Sequence, residues 1–164
     1  MISNDPSSPV CYMAEGDDIY MGYIGRDELL NELNALLEAE RAGAKVALAS
    51  SLISAPPAYT ELMLMVRDDE ARWCAMLAEQ IRKLEATPSR RTGAFREKAL
   101  AISEPYDRLA LLNRGQAWVI RKLEKLLPRV RDEHLHRALK EMLESHKDNV
   151  RKAAGLLNPE HPGH

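Results

Sequence analysis

Four stretches of this chain, each long enough for a helix of about twenty residues, carry apolar side chains at helical spacing, and each stripe is broken once by a polar residue: Glu40, Glu70, Gln116 and His146. That pattern admits few folds. A helix with one apolar stripe must bury it against other helices. A carboxyl or imidazole inside such a stripe is costly without partners, so four interruptions at one level predict a shared polar layer inside an all-α bundle.

The segments are bounded by ordinary stop and start signals. Residues 1 to about 9 (MISNDPSSP) are Ser- and Pro-rich and are expected to be disordered, and the chain up to Gly25 reads as an irregular arm packing Tyr12, Tyr20, Met21 and Tyr23. A first helix is predicted from Arg26, with Leu30, Leu33, Leu37, Glu40, Ala44, Ala47 and Leu48 in line and with Ala42, Gly43 and Ala44 small enough for close approach of a neighbour. SAPPA at 54–58 ends it, because Pro56 and Pro57 cannot continue the hydrogen-bond ladder. A second helix, from about Ala58 to Glu85, aligns Tyr59, Met63, Val66, Glu70, Trp73, Leu77, Ile81 and Leu84. Then comes a long connection, TPSRRTGAFREKALAISEP, with a short helix expected from Phe95 to Ala101. Tight turns alone would not need it, whereas a bundle with one long crossover would. The third helix starts at Pro105 and aligns Leu109, Leu112, Gln116, Val119, Ile120, Leu123 and Leu127. After a turn at Pro128 to Asp132, the fourth aligns Leu135, Leu139, Met142, Leu143, His146, Val150 and Ala153, and Gly155 with Pro159 is expected to stop it. The organisation is therefore an N-terminal tail and arm (1–25), one bundle (26–156) and a flexible tail (157–164).

Glu40 and Glu70 lie at similar sequence distances on either side of the SAPPA turn, about 20 Å from it at 1.5 Å per residue. Gln116 and His146 are likewise matched about the Pro128 turn. Glu40 should then face Glu70, and Gln116 should face His146. The two pairs merge into one layer if the hairpins dock at equal height.

Composition excludes several classes. With 23 basic and 25 acidic side chains, a net charge of -2 offers no positive excess for nucleic acid or an anionic membrane. SRRTGAFREK (89–98) reads as a solvated connection. Cys11 and Cys74 are the only cysteines and the N-terminus lacks a signal-peptide pattern, so a reduced, cytoplasmic protein is expected. No apolar run is long enough to span a membrane. There is no Gly-rich phosphate loop, no Cys-x-x-Cys and no supported nucleophile triad.

The segments LLEAERAGAKVA (36–47), RDDEARWCAML (67–77), LALLNRGQAWVIRKL (109–123) and EMLESHKDNV (141–150) resemble the ferritin-like superfamily, and most closely an uncharacterised bacterial family of small rubrerythrin-related bundles. The resemblance spans about residues 26–156. It implies an antiparallel four-helix bundle with a long crossover between its second and third helices. It also implies a di-iron or di-manganese centre built from a Glu on the first and third helices and a Glu-x-x-His pair on the second and fourth. By that correspondence Glu40, Glu70 and His146 match three ligands. Trp73, Gln116 and Leu143 stand where a His and two Glu would be.

Two of four carboxylates are a poor set for two ions, which need bridging carboxylates to offset their repulsion. Three readings remain open. The four residues form a hydrogen-bonded network that fixes helix register. Alternatively, Glu40, Glu70 and His146, with Gln116 as a weak fourth contact, hold a single iron or manganese ion, as a facial triad does. In the third, a full dinuclear centre persists. The resemblance would give a metal-bound form oxygen, peroxide or iron chemistry, whereas the network reading gives a non-enzymatic bundle, expected to be a homodimer through Trp118 or the Tyr-rich arm. Trp73 is read as core filling, and Arg114 is expected over the Trp118 ring. Trp118 itself is expected over the crossover or in a dimer contact, away from the site. Met63, Met65, Met76 and Met142 are read as adaptable core, Cys74 as an inert buried thiol, and His134, His136, His161 and His164 as solvated.

Overall fold

The computed structural model describes residues 16–159. The expectations for 1–9, Cys11, Tyr12, His161 and His164 fall outside these. The elements are α1 (Arg26–Ser51), α2 (Pro57–Lys83), the short α3 (Phe95–Leu100), α4 (Pro105–Leu126), a 3-10 turn (Leu127–Arg129) and α5 (Glu133–Leu157). No strand occurs among the described residues.

Local chemistry explains the boundaries. Pro57 and Pro105 each open a helix at its first turn, where the missing N–H costs nothing. The Glu104 and Asp132 carboxylates accept hydrogen bonds from the N–H groups of Asp107 (2.7 Å) and Leu135 (2.8 Å), capping α4 and α5. Beyond α2 the chain reverses at Glu85, which adopts a left-handed φ of 59°. There the Ala86 N–H reaches the Ile81 carbonyl and the Glu85 N–H the Arg82 carbonyl, closing the helix as Gly usually does. Helix α5 runs through Gly155 to Leu157, past the expected stop, because nothing crowds Gly155 and the helix ends only where Pro159 forbids continuation.

Helices α1 and α2 form one hairpin and α4 and α5 the other, with α1 packed on α4 and α2 on α5. One end of the bundle is filled by Leu33, Leu36 and Leu37 of α1, Leu77 and Ile81 of α2, Leu123 and Leu126 of α4, and Leu135 and Leu139 of α5. The other end holds Val46 and Ala47, Tyr59 and Met63, Leu109 and Leu112, and Ala153. Neighbouring helices are therefore antiparallel. Helix α4 runs parallel to α2, so the chain must travel the length of the bundle between them; that is the task of residues 84–104, whose α3 packs on α1 and α4.

The apolar stripes bury as the sequence predicts, with one clear exception. Leu48 is 44% exposed, because the inward face of α1 continues through Gly43, Val46, Ala47 and Ser50. In the N-terminal arm, residues 16–20 form a helical turn. The arm is tied down by the Ile24 N–H to the Arg129 carbonyl (2.9 Å) and by an Arg131–Asp18 ion pair. Tyr20 and Met21 nevertheless project into solvent, 89% and 71% exposed, instead of packing on the bundle.

Candidate site in the polar layer

In every long helix the polar interruption falls between residues of the two apolar clusters: Glu40 between Leu37 and Val46, Glu70 between Val66 and Trp73, Gln116 between Leu112 and Val119, His146 between Leu143 and Ala153. The hairpins thus dock at equal height. All four side chains are buried, from 0% exposure at His146 to 4% at Gln116.

Their hydrogen bonds run across the diagonals of the bundle, not within each hairpin as matched turn distances suggest. His146 Nε2 lies 2.9 Å from Glu40 Oε1, and the Gln116 amide Nε2–H donates to Glu70 Oε1. Across the bundle axis the opposite helix supplies the complementary group, whereas pairing within the first hairpin would set the Glu40 and Glu70 carboxyls against each other. Room for Glu70 comes from α1: a Cβ on Gly43 would sit 2.5 Å from both Glu70 carboxyl oxygens.

His146 Nδ1 lies 2.9 Å from the Met142 carbonyl oxygen, which can only accept, so Nδ1 carries hydrogen and Nε2 is the atom offered to Glu40. Burial pushes the imidazole pKa down, but the charge of Glu40, its hydrogen bond, the Met142 carbonyl and the charge of Asp69 together raise it above its ordinary value. Burial, reinforced by the charges of Glu40 and Asp69, drives Glu70 well above the ordinary carboxylate range, against the lowering effect of the Gln116 hydrogen bond. Burial also lifts the half-buried Cys74 thiol to about 12, so it is inert as a nucleophile.

Glu40 Oε2, Glu70 Oε2 and Gln116 Oε1 are buried and have no hydrogen-bond partner among the described residues. Their side chains line a cavity of about 590 Å³ between α1, α4 and the crossover, with Ala39 and Leu112 among its apolar walls. Exposed Arg114, Arg121 and Trp118 mark its mouth. Trp118 therefore shares a cavity with Gln116, although two residues apart on a helix point them away from each other. Space at this mouth depends on Gly115, where a Cβ would lie 3.1 Å from the Phe95 ring.

The departures from the ferritin-like ligand pattern are filled structurally. Trp73 is buried, donates weakly to Ser145 Oγ (3.4 Å) and carries the Arg72 guanidinium 4.4 Å above its ring. Leu143 joins the apolar core. Lys122, not Arg114, takes the face of Trp118, at 5.5 Å: both lie one turn from the ring, but helical side chains lean toward the N-terminus, so the later residue reaches back over it. Met63 and Met142 are fully buried and His134 is exposed. Sequence reasoning missed Asn149, whose amide donates to Asp69 (3.1 Å) at the edge of the layer. Its position three residues after His146 was the available signal. It also missed buried Arg108, bonded to the Ile102 carbonyl (2.9 Å) and Ser50 Oγ (3.4 Å).

Residues 27–155 match the family described as Domain of unknown function (DUF6306). The chain belongs to this family. No curated protein matches the DUF6306 chain. Its fold is shared with a solved structure reported as "A Dodecameric Thioferritin in the Bacterial Domain, Characterization of the Bacterioferritin-Related Protein from Bacteroides fragilis", at a TM-score of 0.68 and 14% identity, over 85% of this chain and 90% of that one. At that identity the likeness shows the fold alone, and the fold is ferritin-like. Among the described residues of the DUF6306 protein, no group of three or more His, Cys, Asp or Glu side chains converges in a way that could hold a metal ion.

Proposed function

We propose that this DUF6306 protein is a rubrerythrin-related bundle in which the di-metal centre has given way to a proton-sharing polar layer, and that it works as a non-enzymatic, self-associating cytoplasmic protein. The Glu70–Gln116 pair carries this reading. Two adjacent ions need bridging carboxylates. Here an amide occupies the position of one bridge and donates to Glu70, whose own carboxyl is held well above its ordinary pKa by burial. A carboxyl that prefers its proton, bonded to an amide, is a poor bridge, and the donor set does not fit two ions. It does fit a network that locks four helices in register.

A second reading has its own support. Metal-binding imidazoles commonly anchor one ring nitrogen on a carbonyl and present the other, as His146 does through Met142. Glu40, Glu70 and His146, which do not converge on one point as they stand, would have to close together, with the Gln116 oxygen, to hold one iron(II) or manganese(II) ion, which when bound would supply Lewis-acid or redox chemistry. Elemental analysis of untagged protein, with melting curves at pH 6 and pH 8 with and without each metal under anaerobic conditions, separates the two. The network reading expects no metal and no shift. A melting temperature raised by metal more at pH 8 than at pH 6, the difference vanishing in His146→Ala, overturns it, because metal requires the neutral imidazole.

Self-association is supported by exposed Ile19, Tyr20 and Met21, and by the dodecamer reported for the Bacteroides fragilis protein of the same fold. A homodimer is the simplest closed assembly.

A further inference from the structure

We propose that the cavity behind Trp118 binds a primary monoamine with an apolar body, its ammonium group received by Glu40 Oε2, Glu70 Oε2 and Gln116 Oε1. Those three atoms are buried and without a hydrogen-bond partner among the described residues, and their side chains line one cavity; Gln116 Oε1 can only accept, and the two carboxyl oxygens accept in their ionised forms. Buried acceptors left unpaired cost roughly 1–3 kcal/mol each, so a group that supplies donors binds there with a corresponding advantage. A primary ammonium is the organic group that offers three N–H donors from one atom and no acceptor. With Glu40 and Glu70 ionised and His146 carrying its second proton, these three groups leave one excess negative charge, which a single ammonium balances. The walls select the rest of the ligand: Ala35, Ala39, Leu111 and Leu112 are apolar, and Phe95 and Trp118 offer aromatic surface nearer the mouth. Arg114 and Arg121 at the mouth have no ion-pair partner among the described residues, and the carboxylate that lines the cavity with them, Glu38, is engaged by the Ser89 hydroxyl at 2.5 Å, so a second ammonium on the ligand would meet a net positive charge. A monoamine is therefore favoured over a diamine.

The inference goes beyond the metal-free reading of the layer and rests on it, since an ion would take the same oxygens. Titrations in EDTA, read by calorimetry and by Trp118 fluorescence, compare hexylamine, hexanol and the six-carbon diamine. Hexylamine is expected to bind about tenfold or more tightly than either. Glu70→Gln should remove the preference for amine over alcohol while the bundle stays folded, and Ala39→Phe, which fills the cavity from its wall, should abolish binding of both. Equal binding of hexylamine and hexanol, or hexylamine binding unaltered in both variants, overturns the proposal. Chelation keeps this outcome separate from that of the metal titrations, which decide the reading of the layer by themselves.

Discussion

Gly43 and Glu70 compete for one small volume, and the outcome determines how the layer is built. In an isolated helix Gly43→Ala would gain about 1 kcal/mol from reduced backbone entropy. Here the new methyl displaces the Glu70 carboxyl from its Gln116 partner, and disturbing a buried hydrogen bond costs about 1–3 kcal/mol. Gly43→Ala should therefore destabilise the protein by about 1 kcal/mol in urea unfolding. The same change made in a Glu70→Ala background should stabilise it by a similar amount; destabilisation in both backgrounds would remove Glu70 as the cause. Protonation gives a second test. His146 has a raised folded pKa, so its contribution is fully present below its ordinary value of 6.5 and is lost as pH rises through the folded value. The Glu70 carboxyl is also raised, so the folded state holds a proton that the unfolded chain releases above 4.5, and stability again falls as pH climbs toward the folded value. Both effects run in one direction. Unfolding free energy should fall from pH 5 to pH 8, and Glu70→Gln, which cannot titrate, should show a shallower fall.

At the scale of the element, apolar stripes and prolines mark where the helices lie. Pro57, Pro105 and the SAPPA turn place helix starts within a residue or so of where they occur, because proline acts through its own ring and needs no tertiary partner. Asp132 caps α5 by a 2.8 Å bond from the Leu135 N–H, and Asp132→Ala should lower stability by about 1 kcal/mol in thermal or denaturant unfolding, whereas Asp132→Asn should leave it nearly unchanged. Leu48 departs from expectation at the end of its stripe. Periodicity identifies a face, but a helix of 26 residues drifts relative to its neighbours, so which residue at the end of the stripe is covered depends on what packs there.

For the whole molecule, two apolar cores are held apart by one polar layer, and the crossover closes one side of it with Phe95 against Gly115. Among the described residues, exposed apolar surface is consecutive at Ile19, Tyr20 and Met21, with Leu48, Leu52, Leu64 and Trp118 exposed elsewhere. Light scattering at tens of micromolar should give a mass above the 18.5 kDa monomer, and Tyr20→Ser with Met21→Ser should lower it toward the monomer value. The helical fold class, the long crossover and the identity of the four polar residues were legible from spacing alone, since each depends on local periodicity and on distances along the chain. Pairing was not. Whether Glu40 meets Glu70 or His146 depends on how two hairpins rotate about their axes as they dock, which sequence distance does not encode. The cavity, the space that Gly43 yields to Glu70 and the three acceptors left without donors arise only when side chains from α1, α2 and α4 converge, and there tertiary packing alone decides what the layer has to offer.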